Sequence, residues 1–310
     1  MGQGEDPHRS PEALGHKGSR HRGRRKRGLL QHPPRGPWDA WRRGVLIPLT
    51  CNVAIIGGTG LYDRALLDGA EPTTVGTPYG IVSLFVGSHA GRGVVFLPRH
   101  GAGHSVPPHR VNYRANIWAL RQLGVRRVLA TAACGTMAKA VPPGSLTLCD
   151  QFIDFTKSRA ATFFDGEDGR VHHADMTEPY CPGLRARLLG AAARQDLALG
   201  PKATYVCTEG PRFETPAEIA AFARLGGHLV GMTGVPEVVL AREAGLCYAG
   251  VAIATNWAAG LAGQPLSHAE VVAAMAEAVV AVRRLLLAAI ADMDETACGV
   301  CPEPPGAVGG

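Results

Sequence analysis

Residues Val230 to Gly260 read VGMTGVPEVVLAREAGLCYAGVAIATNWAAG. A short apolar start breaks at Gly231, and Met232-Thr233-Gly234 makes a polar turn. Pro236-Glu237 then opens a helix-like run, since proline tolerates the first helical turn. Tyr248 to Thr255 reads as a strand that ends at Asn256. Chain segments that leave a sheet on either side of a helix place small polar groups where α/β proteins bind ligands.

The same alternation extends outward. Val53–Ile56 is a buried strand followed at once by Gly57-Gly-Thr-Gly60. Glycines there permit positive φ and close approach of backbone to an anion. The loop lacks the Gly-Lys-Ser/Thr of a Walker A loop and the third glycine of GxGxxG, so alone it marks an anion site or a turn. Ile81–Val86 and Gly93–Leu97 pattern as paired strands, and the second runs into Pro98-Arg99-His100-Gly101. Arg99 can grip an oxyanion bidentately, and His100 can donate to it. Pro107-Pro108 leads into a helix, Tyr113 to Leu123, closed by Gly124. The strand Val128–Thr131 ends in Ala132-Ala133-Cys134-Gly135, whose small side chains leave backbone N–H groups open to a ligand.

Further strands are expected at Ser145–Cys149, Gln151–Ile153 and Thr204–Thr208, and helices from Pro182 to Gln195, from Pro216 to Leu225 and from Ser267 onward. A polar loop at 165–175 carries His172 and His173. The third of these strands leads into Glu209-Gly-Pro-Arg-Phe-Glu214, where Glu209 reads as a loop tie. Together these predict one α/β domain with a mixed central sheet flanked by helices, and ligand groups on one rim.

Charge is unevenly spread. Residues 1–50 carry 11 Lys/Arg against four Asp/Glu, and the rest 21 against 22, so the net +6 belongs to the first segment. Residues 1–45 are rich in Arg, Gly, Pro and His and are expected to be a disordered basic extension. A nucleic-acid-associated binding protein would have to act through that extension alone; no nucleic acid is expected as a partner. The domain is expected over 46–293 and a flexible tail over 294–310. The N-terminus lacks an apolar core of the signal-peptide kind, and no run of apolar residues is long enough to span a membrane. Eight scattered cysteines fit reduced thiols in the cytoplasm. Cys298-Gly-Val-Cys301 stands without a second pair nearby in the chain, so no metal site is expected.

The rim residues form two kits. Thr59, Arg99, His100, the Ala132–Ala133 backbone and Thr233 suit an anion; Glu214, Met232, Asn256 and His268 suit a neutral polar ligand. There is no nucleophile elbow, no HExxH and no carboxylate cluster, so a bound anion acting as its own nucleophile fits best.

The motifs GGTGL, RHGxxH, VNYRANIWAL, TAACG, QFIDFT, EGPRFET, GMTGVPEVVLAREAG and ATNWAAG resemble those of methylthioadenosine phosphorylases and trimeric purine nucleoside phosphorylases, over about residues 52–292. The resemblance implies a phosphorylase-type α/β fold, a homotrimer or dimer of trimers, and phosphorolysis of a nucleoside to free base and ribose 1-phosphate for purine salvage. Phosphate is then a co-substrate and no cofactor is required. It places Thr59, Arg99, His100, Ala132, Ala133 and Thr233 on phosphate and Met232 under the ribose. His173 reaches a neighbouring subunit's 5′ pocket and His268 the 5′-hydroxyl. Ala132 departs from the Thr that many methylthioadenosine phosphorylases carry.

The base site is expected at Glu214 and Asn256-Trp257-Ala258. Enzymes of the family that favour 6-aminopurines carry Asp-x-Asp at the latter triplet. An Asn amide can donate to a 6-oxo group, and Glu214 can accept from N1–H. The implied substrates are therefore 6-oxopurine nucleosides such as inosine and guanosine, with Asn256 and His100 as catalytic residues. The alternatives are S-methyl-5′-thioadenosine and S-methyl-5′-thioinosine.

Overall fold

The computed structural model describes residues 51–58, 61, 66–167, 169, 171–262, 268–294, 298 and 301. The extension expected over 1–45, most of the tail expected over 294–310, Thr59 and the His268 side chain lie outside them.

The described strands are β1 (Cys51–Gly57), β2 (Asp68–Thr77), β3 (Gly80–His89), β4 (Arg92–Pro98), β5 (Arg127–Thr136), β6 (Leu146–Phe155), β7 (Leu199–Thr208), β8 (Leu229–Gly231) and β9 (Cys247–Trp257). They form one mixed sheet in the order β2-β3-β4-β1-β5-β8-β7-β6-β9, and β5 also pairs with β9. That last pairing closes β5, β8, β7, β6 and β9 on themselves. β1 runs parallel to β4 and β5, and β5 parallel to β9. Four strands therefore deliver their C-terminal ends to the same rim.

β5 is the element that opens the site. Its residues Arg127–Ala130 pair with β1 along one edge, and Gly135–Thr136 pair with β8 along that edge. Between the two pairings no described strand covers Thr131–Cys134 on this side. A sheet that changes neighbours in this way leaves a crevice at the strand ends.

β1 alternates between two cores, as a central strand must. Ala54 and Ile56 join the cluster under helices α1 (Tyr113–Gln122) and α4 (Gly234–Glu243). Val53 and Ile55 join the cluster under α2 (Pro182–Arg194) and α5 (His268–Ala291). The remaining helix, α3 (Pro216–Arg224), seats Ile219 and Phe222 on a smaller cluster with Val206, Val230 and Ala258. Local signals start these helices where expected. Asn112 caps α1 through Ala115 N–H at 3.1 Å, and α3 opens with a Thr215/Glu218 capping box around Pro216.

Two strand expectations change. β2 is missing from the sequence reading because its residues DGAEPTTVGT are mostly exposed and poor in strand formers. β6 is one strand rather than two. Its register slips at Thr147/Cys149 and Cys149/Gln151, and that irregularity breaks the periodicity around Asp150. No described helix is long and apolar enough to cross a membrane.

Candidate active site

A cavity of about 360 Å³ opens at this rim. Gly58 reaches it from the end of β1, Arg99 and His100 from the end of β4, and Ala132 to Gly135 from the uncovered part of β5. Glu214 follows β7, Met232 and Thr233 follow β8, and Asn256 lies near the end of β9. Arg99, His100, Ala132, Ala133 and Thr233 from one kit thus meet Glu214, Met232 and Asn256 from the other in one space, and only the fold brings them together. Gly58 is required by close approach: a Cβ there would sit 2.6 Å from Thr131 O and 3.0 Å from Arg99 Nη1. Its N–H instead donates to Thr131 Oγ1 at 3.0 Å.

Most of the donors of Arg99 are already engaged within the protein. Its Nε and Nη2 donate to Oε2 and Oε1 of Glu237, each at 2.7 Å, and its Nη1 donates to Thr131 O at 2.8 Å. One N–H on Nη1 and one on Nη2 remain for a ligand. Both partners are buried, Arg99 at 3% and Glu237 at 0% exposure. Glu237 also accepts from Tyr248 Oη at 2.7 Å. Burial works against the charge on Arg99, but Glu237 outweighs it and holds the guanidinium more firmly protonated than usual. Glu237 was not among the expected site residues, and its place one residue after Pro236 at a helix start gave no sign of it.

His100 is held the opposite way. Its Nδ1 lies 2.8 Å from Val106 O, which can only accept, so Nδ1 carries the proton. Burial, then the neighbouring Arg99 charge, lower its pKa to about 4. A neutral ring that donates through Nδ1 presents Nε2 as an acceptor. In that state Nε2 can take a hydrogen bond from a protonated oxygen of a ligand. Thr233 stands at the N-cap of α4 but makes no side-chain cap bond, and it lines the cavity. The N–H groups of Thr233 and Gly234 point to Tyr205 Oη at 3.2 and 3.4 Å.

On the opposite side, Glu214 is buried and accepts from Thr208 Oγ1 at 2.6 Å. Burial raises its pKa above the usual carboxylate value. Asn256 Oδ1 accepts from Thr255 Oγ1 at 2.7 Å, and its Nδ2 donates to Trp257 O at 2.8 Å. These bonds fix the amide and leave one N–H for a ligand. Met232 packs against Gly210, whose φ is +66°; a Cβ on Gly210 would lie 2.7 Å from Met232 Sδ.

Arg159 ties the segment after β6 to the end of β7 and the start of α4, outside the cavity wall. Nearly inaccessible, it donates to Val235 O at 2.6 Å, Glu209 O at 2.8 Å and Thr208 O at 3.1 Å. Glu209 also accepts from Lys157 N–H at 2.9 Å, in line with its reading as a loop tie. Arg159 follows an apparently polar segment and carries no motif signal.

The remaining candidates divide. Ala258 lines the cavity and packs into the small cluster under α3. Trp257 pairs with Thr136 and is not part of the cavity wall. His173 is exposed on its loop, away from the wall. The wall further includes His104, Val106, Pro107 and Phe213, none of which was expected there. The spacing in RHGxxH was the one signal for that segment.

A family model described as the phosphorylase superfamily matches residues 52–291. The 6-oxopurine nucleoside phosphorylase of Pyrococcus furiosus is 51% identical over 264 residues, covering 83% of this chain and 99% of the relative. A probable S-methyl-5′-thioinosine phosphorylase of Methanothermobacter thermautotrophicus is 48% identical, covering 73% of this chain and 78% of the relative. Methylthioadenosine phosphorylase from Schistosoma mansoni in complex with adenine superposes with a TM-score of 0.75 at 37% identity, covering 78% of this chain and 91% of that one.

Proposed function

The chain belongs to the phosphorylase superfamily, among the purine nucleoside and methylthioadenosine phosphorylases, and from that premise we propose that it cleaves 6-oxopurine nucleosides with phosphate to give free base and ribose 1-phosphate. The observation that carries the base preference is the pairing of Asn256 with a buried Glu214 across one cavity. Asn256 has an N–H left to give, which suits O6 or N7. Glu214 accepts from an N1–H, which 6-oxopurines have and neutral 6-aminopurines lack. An unmatched buried polar group would cost about 1–3 kcal/mol.

In this reading the two sides of the cavity divide the reaction between them. Phosphate sits against the Ala132–Ala133 backbone, Thr233 and the two remaining N–H groups of Arg99, with Thr59 as a further ligand. His100 accepts from its protonated oxygen. As the glycosidic bond lengthens, positive charge grows on the ribosyl ring and negative charge on the purine. Asn256 stabilises the purine charge, the phosphate charge offsets the ribosyl cation, and phosphate then captures C1′. Catalysis is positioning plus charge stabilisation.

A second reading changes the 5′ group alone. The thioinosine relative is nearly as similar as the nucleoside one, and both names denote 6-oxopurines. His268 at the start of α5 and His173 from a neighbouring subunit are the groups we assign to the 5′ end. Assembly in a multiple of three would let an exposed His173 serve that role. The described cysteines are all free thiols, in keeping with a reducing compartment, where we place the protein.

The test is phosphate-dependent base release from inosine, guanosine, adenosine, methylthioadenosine and methylthioinosine. Inosine or guanosine is expected to lead. Preference for methylthioadenosine over inosine would overturn the base assignment, and preference for methylthioinosine would move only the 5′ assignment. Removal of residues 1–45 is expected to leave phosphorolysis intact.

A further inference from the structure

At the opposite end of β9 from Asn256, four cysteines converge. Cys181 caps α2, Cys247 begins β9, and Cys298 and Cys301 follow α5. Their four Sγ atoms all lie within 4.8 Å of one another. Taken alone, the Cys298/Cys301 pair lacked partners nearby in the chain; the fold supplies them from two other elements.

We propose that these four thiols form a structural site for a tetrahedral, thiophilic divalent cation of the zinc type. A zinc ion bound at about 2.3 Å by four sulfurs spaces them about 3.8 Å apart, and the cluster needs only small side-chain adjustments to reach this. Disulfides would need only two close pairs at about 2.05 Å. Here every sulfur is near every other one, and Cys247 and Cys298, from separate elements, are 3.3 Å apart. A close CxxC pair joined by two cysteines from distant segments is the ligand pattern of closed, all-cysteine zinc sites.

The surroundings fit that use. Leu184 N–H donates to Cys181 Sγ at 3.4 Å, and Cys301 N–H donates to Cys298 Sγ at 3.1 Å. Backbone donors of this kind orient and stabilise thiolate ligands. Four thiolates around a divalent ion carry two net negative charges, and Arg127 and Arg187 line the cavity beside Cys247 and Cys298. Gly183 gives Cys298 room, since a Cβ there would stand 3.2 Å from Cys298 Cβ. Arg187 pairs with Asp294 at 2.7 Å, so the segment after α5 is already led to α2. The cation would fasten that segment to the starts of α2 and β9, away from the cavity of the proposed active site.

The experiment uses the full chain, purified under reducing conditions without chelator. Elemental analysis is expected to find about one zinc per chain, released by a mercurial thiol reagent. The Cys298→Ser/Cys301→Ser variant is expected to lose the metal, melt lower, and keep wild-type kcat/KM for inosine. Cobalt(II) titrated into metal-free wild-type chain should give the visible bands and thiolate charge-transfer absorption of a tetrahedral sulfur site, a readout independent of any variant's folding. Absence of bound metal together with no such cobalt spectrum would overturn the proposal. So would mass spectrometry showing disulfides among Cys181, Cys247, Cys298 and Cys301 in protein whose free thiols are alkylated at lysis.

Discussion

Arg99 and Glu237 lie 138 residues apart in the chain and meet in a buried fork of two 2.7 Å hydrogen bonds. Tyr248 and Thr131 O complete the network, so the end of β4, the middle of β5, the start of α4 and the start of β9 are tied beneath the anion side of the cavity. The guanidinium therefore faces a ligand from a fixed position, with most of its donors already engaged.

Removing one partner strands a buried charge, so Glu237→Gln is expected to cost about 3–5 kcal/mol of stability. Urea denaturation measures this, and a loss below about 1 kcal/mol would show the fork to be dispensable. The double change Arg99→Met/Glu237→Leu is expected to recover much of the stability, since a packed apolar pair replaces both charges. It should still fail to use phosphate well, which separates the structural role from the binding role.

Asn256→Asp replaces the N–H donor at the base with an acceptor. Selectivity is expected to move from inosine toward adenosine by about 1–3 kcal/mol, roughly 5- to 150-fold in the ratio of kcat/KM. An unchanged ratio would mean that Asn256 does not read the base.

His100 is lowered to about 4 by burial and by Arg99, below its ordinary 6.5. A group with a depressed folded pKa that is neutral when deprotonated favours the fold above 6.5. That contribution is lost as pH falls toward about 4 and amounts to about 3 kcal/mol as an order of magnitude. Glu214 and Glu243, raised by burial, act in the opposite sense over acid pH, so the comparison is with a variant. Wild type is expected to lose more stability than His100→Gln between about pH 7 and about pH 4. Equal losses would show that His100 is not held neutral. His100→Ala should lower kcat/KM for phosphate roughly 10- to 150-fold, the worth of one hydrogen bond to a charged group.

Gly210→Ala forces a side chain into positive φ and against Met232 Sδ. The expected cost is about 1–3 kcal/mol of stability. Because Met232 is the residue displaced, KM for the nucleoside should rise more than KM for phosphate. Steady-state kinetics with each substrate varied in turn decides this, and equal changes would remove Met232 from the nucleoside side.

The α/β class, most strand and helix positions, and the residue types at the rim were legible in the chain before any fold was known. These are local properties: periodicity, capping residues and small residues after strands report the conformation of a few neighbouring residues. The series of motifs also carried the family. Which groups meet was a matter for the folded chain. Local pattern records which face of an element is apolar but not its partner across the sheet. The closure of β5 through β9, the Arg99–Glu237 fork and the cysteine quartet are all pairings between separate segments, chosen by packing. The stretch Val230 to Gly260 shows both sides of this. Its strand–helix–strand form could be read in its own residues, whereas Met232, Thr233 and Asn256 came to face one cavity only because β8 and β9 flank β5 on its two edges.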